Sequence, residues 1–112
     1  MDVLTVDLLH LDGHAVVALR GELDQRGEHA VDAALGPLVA RYDASQVELD
    51  CGALTFVDPA GLSALIRAAR GFGGEERITL RDVQPPVMRL LEVTNARHLF
   101  HVVDAEGEPC RW

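Results

Sequence analysis

The chain has 112 residues and a mass of 12.2 kDa, the size of one domain, and long enough to bury a core without disulfide or metal staples. Its 48% hydrophobic and 25% charged content excludes disordered and fibrous classes. The net charge of −8 disfavours nucleic-acid backbones and anionic lipid surfaces as partners, and favours a protein with a basic or mixed face.

All ten basic residues are arginine, so lysine chemistry such as a Schiff base or a P-loop phosphate contact is absent. No apolar run nears the ~18 residues that span a bilayer. The opening Met-Asp-Val-Leu-Thr-Val-Asp has no basic stretch, so no signal peptide is expected and cytoplasmic residence is. Two cysteines make no disulfide framework. Cys51 closes an apolar run and reads as a small buried hydrophobe. Cys110 lies in a polar tail of about residues 104–112, which is expected to fray.

The hydrophobic period changes repeatedly along the chain. Alternation over residues 3–8 predicts a strand, Asp12-Gly13 a tight turn, and Ala15-Val-Val-Ala-Leu-Arg20 a second strand paired with the first. Asp24 is a good N-cap for a helix over about residues 25–41, with Val31, Ala34, Leu35 and Leu38 inward. Gly36-Pro37 inside that stretch predicts a kink or a split. Gln46-Val-Glu-Leu-Asp50 predicts the third strand. Asp58-Pro59 predicts an N-cap and first helical residue, Leu62, Leu65, Ile66 and Ala69 the apolar stripe, and Gly71, Gly73 and Gly74 the stop. A strand over 78–83, a short helix from Pro85-Pro86 and a last strand over 99–102 complete the order β-β-α-β-α-β-α-β. Crossovers of this kind predict an α/β fold, with a mainly parallel sheet and an antiparallel N-terminal hairpin at its edge.

Catalytic and metal candidates are sparse. His10 and His14 flank the turn, and His98 and His101 are placed around the last strand. No His-Glu-x-x-His or Cys-x-x-Cys spacing occurs, so they read as surface histidines. Ser45 and Ser63 sit in no nucleophile elbow. Gly71-Phe-Gly-Gly74 follows a helix, not a strand, and reads as a helix stop rather than a phosphate cradle. Glu22, Asp24 and Glu28 read as acids favouring a helix start. The chain is therefore expected to be no enzyme and to need neither cofactor nor metal.

The most specific segment is Leu54-Thr-Phe-Val-Asp-Pro-Ala-Gly-Leu-Ser-Ala-Leu65. It places Ala60 near the second position of a capped helix, beside backbone N–H donors that would favour a phosphate. Phe56-Val-Asp-Pro-Ala-Gly-Leu62 resembles the hallmark loop of STAS domains of the bacterial anti-sigma factor antagonist type. Leu19-Arg-Gly-Glu-Leu-Asp24, Val47-Glu-Leu-Asp50 and Val83-Gln-Pro-Pro-Val-Met-Arg-Leu-Leu91 with Phe100 are similar to that family's other landmarks, in the same order over about residues 3–103. The resemblance implies one STAS domain over 1–112, with helices packed on the sheet. It implies a cytoplasmic partner switch that binds an anti-sigma factor of GHKL kinase type and so promotes sigma-factor-dependent transcription.

In that family the kinase phosphorylates a Ser or Thr before the hallmark glycine, and binding is lost. Here that position is Ala60, which has no hydroxyl, so phosphorylation there is impossible. Ser63 is the substitute acceptor the same helix offers, against its ordinary reading as a solvated serine. The partner surface implied comprises Asp24, Asp58, Pro59, Ala60, Gly61, Leu62, Ser63 and Arg67. Asp24 and Asp58 also have plain capping roles, and Ser63, Arg67 and Arg70 form a polar stripe opposite Leu62, Leu65 and Ile66. Small stand-alone STAS proteins also resemble accessory subunits of lipid-trafficking ABC transporters, which is the alternative function.

Overall fold

A computed structural model describes residues 3–110. Five strands form one sheet in the order β1-β2-β3-β4-β5. These are β1 (Thr5–Leu11), β2 (His14–Leu23), β3 (Val47–Val57), β4 (Thr79–Arg81) and β5 (His101–Val103). The β1–β2 pair is antiparallel and every other neighbour is parallel. Three α-helices complete the order: α1 (Glu28–Leu35), α2 (Pro59–Arg70) and α3 (Pro85–Val93). The expected mixed architecture, with its antiparallel edge hairpin, is the one observed.

The hairpin forms because Asp12 (φ +45°) and Gly13 (φ +78°) both take positive φ, as a two-residue turn between twisted strands requires. His10 is not simply solvated: its Nδ1 bonds with the Tyr42 hydroxyl and the two rings stack. The first helix is split as expected. A 3-10 turn (Gln25–Gly27) precedes α1 and another (Gly36–Ala40) follows it. Pro37 has no N–H, so it cannot bond to the carbonyl four residues back, and the chain tightens instead.

Burial alternates along the strands and defines two sheet faces. Ala15, Val17 and Leu19 of β2, Val47 and Leu49 of β3 and Leu80 of β4 are at most 1% exposed. They meet Val31, Leu35, Leu65 and Leu91 from the helices in one core, with Phe100. The intervening residues Val16, Ala18, Glu48, Asp50, Thr79 and Arg81 stay half-buried on the other face. There Arg81 Nη2 donates to Glu48 Oε1 at 2.8 Å.

Four expectations need correction. β3 does not stop at Asp50 but continues to Val57, because two irregularities in its pairing with β2, between Ala18 and Arg20 and between Gly21 and Glu22, absorb the residues that break the alternation. The hairpin strands likewise run on, β1 to Leu11 and β2 to Leu23. The last strand begins at His101, and His98 lies in a 3-10 turn (Arg97–Leu99), so the two histidines do not share a strand. The tail does not fray through residue 110. The Asp104 carboxylate accepts from Glu106 N at 3.0 Å and Glu108 N at 2.9 Å. Arg81 Nη1 donates to Ala105 O at 3.1 Å, and Cys110 N donates to Val102 O at 3.0 Å. The tail's final Arg111 and Trp112 lie outside the described residues.

Candidate functional site

The site lies where β2 and β3 end and α2 begins. Asp58 takes extended backbone (φ −93°, ψ 174°), and its Oδ1 accepts from Gly61 N at 2.7 Å. Its own N–H donates to Leu23 O at 3.1 Å, and its carbonyl accepts from Leu62 N at 2.9 Å. One residue thus caps α2 and ties the loop to the end of β2. Pro59 occupies the first helical position, where its missing N–H costs nothing.

Gly61 decides how close α2 can approach. It is buried, and a Cβ there would lie 2.8 Å from Leu23 Cγ and closer still to the Leu23 carbonyl oxygen. Side-chain volume is excluded at this crossing. Leu62, 4% exposed, inserts into the core beside it. Of the expected surface residues, Gly61 and Leu62 therefore shape the surface from beneath. Pro59, Ser63 and Arg67 are exposed, and Asp58 and Ala60 half-buried. The polar stripe of Ser63, Arg67 and Arg70 faces solvent, opposite buried Leu62 and Leu65 and half-buried Ile66.

The expected cluster of free donors around Ala60 is not present. Pro59 has no N–H, Asp58 takes that of Gly61, and Leu62 begins the helical ladder, which leaves at most the Ala60 amide. The helix start is closed by its own aspartate and forms no anion cradle.

Asp24 is the second capping acid. Its Oδ1 accepts from Arg26 N at 2.9 Å, and the Arg26 guanidinium bonds to the carboxylate through Nε and Nη2, the latter at 2.8 Å. The Arg26 side-chain hydrogen bond holds the Asp24 carboxyl below the usual value against the opposing effect of burial, with lesser help from the Arg26 backbone N–H and charge. Arg67 Nη2 reaches Asp32 Oδ2 at 3.3 Å, joining α2 to α1. Both side chains are half in water, so this pair adds little stability.

Phe56 was not among the expected surface residues, yet it is 45% exposed. It lies opposite Glu22 in the β2–β3 register, two residues before the cap. Strict alternation gave no signal for it: beyond Cys51 the period breaks, with Leu54 buried and Thr55 and Phe56 both exposed, because the pairing with β2 is irregular there. The remaining chemistry is unreactive. Cys51 is buried at 1% exposure, and burial pushes its thiol up to about 12. Among the described residues no group of His, Cys, Asp or Glu could hold a metal ion, and no helix is long and apolar enough to cross a membrane.

A five-stranded mixed sheet, a split first helix and a capped second helix closing on a glycine define a small α/β module. The family model described as "Mlab, STAS domain" matches residues 6–103, and the chain belongs to the STAS domain family. It is 28% identical over 106 residues to an anti-sigma F factor antagonist of Paenibacillus polymyxa, covering 92% of this chain and 89% of that protein. Its fold is similar to the crystal structure of an anti-sigma factor antagonist from Mycobacterium paratuberculosis, with a TM-score of 0.76 and 25% identity over 89% of this chain and 85% of that one. It also shares its fold with unphosphorylated SpoIIAA, an anti-sigma factor antagonist, at a TM-score of 0.73 and 19% identity over 90% of this chain and 88% of that one.

Proposed function

We propose that this chain is a non-enzymatic binding module of the anti-sigma factor antagonist type, acting in the cytoplasm. It engages an anti-sigma factor, of the GHKL kinase type that the sequence resemblance implies, and thereby frees a sigma factor. The observation that carries this reading is the start of α2. Its capping aspartate, its glycine-closed crossing and its solvent-facing stripe are all in place, while the acceptor side chain is the methyl of Ala60. An antagonist without that hydroxyl stays in its binding state and is regulated by abundance or competition. Ser63, exposed on the next turn, is left as a contact residue.

The contact surface comprises Asp24, Asp58, Pro59, Ala60, Ser63 and Arg67, supported from below by Gly61 and Leu62, with Phe56 added as an apolar anchor. A partially exposed aromatic beside acidic side chains suits a basic-rimmed apolar socket on the partner. The test is affinity capture of the tagged protein from its native extract with identification of what co-purifies. Recovery of an anti-sigma factor, lost on Ala60→Asp and weakened at least about 30-fold on Phe56→Ala, is the expected result. Recovery of an ABC transporter ATPase instead replaces this reading with the transport-accessory one.

A further inference from the structure

β1 is an edge strand with few of the usual protections. Its seven residues pair with β2 in an unbroken register, without a bulge. It contains no proline and no lysine, and its one carboxylate, Asp7, is held by Arg20 at 3.3 Å. Natural sheet edges are blunted by bulges, prolines or unpaired charges, because an open row of N–H and C=O groups invites another strand. Here the side chains invite it too. Leu8, Leu9 and Leu11 are 44%, 54% and 49% exposed, and they lie on both sheet faces.

We propose that the β1 edge pairs antiparallel with the β1 of a second copy, joining two five-stranded sheets into one of ten strands. Symmetry restricts the register. An antiparallel pair of identical strands has its two-fold axis perpendicular to the sheet, so each side chain keeps its face and the axis passes through one residue. An axis at Asp7 would set two carboxylates side by side, a destabilising cross-strand arrangement. An axis at Leu9 leaves Thr5 and Val6 without partners. An axis at Leu8 pairs all seven residues: Leu8 with Leu8, Asp7 with Leu9, Val6 with His10, and Thr5 with Leu11.

Two seven-residue edges make a contact smaller than the ~1,200 Å² of a standard stable interface. The dimer is therefore weak and dynamic, and is sought at high protein concentration. Each copy carries a net charge of −8, which opposes association at low ionic strength and is screened by salt. Salt therefore tightens the dimer. The surface at the start of α2 lies beyond the Thr5 end of β1, whose pairing partner is Arg20 of β2, and remains free.

The test is sedimentation velocity on the full chain from about 5 to 500 μM, in low and high NaCl. The expected result is a monomer–dimer equilibrium that tightens severalfold with salt, together with slower hydrogen exchange of β1 amides as concentration rises. Leu8→Lys places two ammonium groups face to face and weakens the dimer at least tenfold. Leu9→Lys makes the same charge change but sets each lysine opposite Asp7, and keeps the dimer within a few-fold of the original. Circular dichroism checks the fold of both variants, and the exchange measurement on the unaltered chain stands independently of them. A monomer at 500 μM in both salts, a dimer weakened by salt, or equal effects of the two lysines overturns the proposal.

Discussion

Adding one methyl group at two glycines should have opposite effects on stability. At Gly61 a Cβ falls 2.8 Å from Leu23 Cγ and nearer still to the Leu23 carbonyl. The obstructing atoms include backbone, which cannot rotate away, and the Asp58 N–H already bonds to that same carbonyl at 3.1 Å. Overpacking against backbone at this distance belongs at the upper end of the usual range, ~3 kcal/mol, and the ~1 kcal/mol that alanine gains over glycine within a helix offsets only part of it. Relief requires α2 to move from the sheet, which also loosens Leu62, so Gly61→Ala is expected to destabilise by about 2 kcal/mol. At Gly36 the backbone is helical (φ −53°) and nothing lies within 4 Å of a Cβ. Gly36→Ala should therefore stabilise by ~0.4–1 kcal/mol, chiefly by restricting the unfolded chain. Urea unfolding reads both: with a slope of ~1–3 kcal/mol per molar, the midpoint falls by about 1 M for Gly61→Ala and rises by a few tenths for Gly36→Ala. A Gly61→Ala protein as stable as the original would refute the close-approach argument. A destabilised Gly36→Ala protein would refute the treatment of the split helix.

Removing the α2 cap with Asp58→Ala should cost ~1 kcal/mol, since one buried-side N–H loses its acceptor; thermal unfolding measures it. Native protein at pH 8 should offer one thiol to an aromatic disulfide reagent, half-buried Cys110, while Cys51 reacts only after unfolding. Because the folded Cys51 thiol stays protonated to about 12 whereas the unfolded thiol ionises near its ordinary value of 9.0, stability should decline as pH rises above 9, and Cys51→Ala should remove that decline. Asp24 has the opposite sign: its contribution is present above the unfolded value of 3.8 and is lost as pH falls through the depressed folded value. NMR titration of the carboxyl should show Arg26→Ala moving it back up.

Local chemistry announced most of the fold. Asp12-Gly13, Asp58-Pro59 and Pro85-Pro86 each fix backbone angles by themselves, and the alternation of buried residues in β2 is visible in the chain. What stayed hidden depends on distant partners. β3 reaches Val57 only because β2 runs beside it to Leu23 and absorbs the irregular residues, and with that extension Phe56 becomes a surface residue. The turn at 104–108 looks like polar tail until Arg81, more than twenty residues earlier, supplies its guanidinium to Ala105. The α2 start was legible as a motif. Its lack of free donors was not, because that depends on which atom the Asp58 carboxylate selects.

The returning C-terminal segment has a consequence for how far the sheet can grow. Residues beyond β5 bridge back to it, Val103 opposite Pro109, and Cys110 donates to Val102. A proline stands in that outermost row, and proline offers no amide to a further strand. The molecule is thus capped at one margin and open at the other. A particle with a single open margin can join one like itself and then has nothing left to offer. Growth stops at a pair, and the long stacked-sheet assemblies that threaten proteins with two bare margins have no route to form.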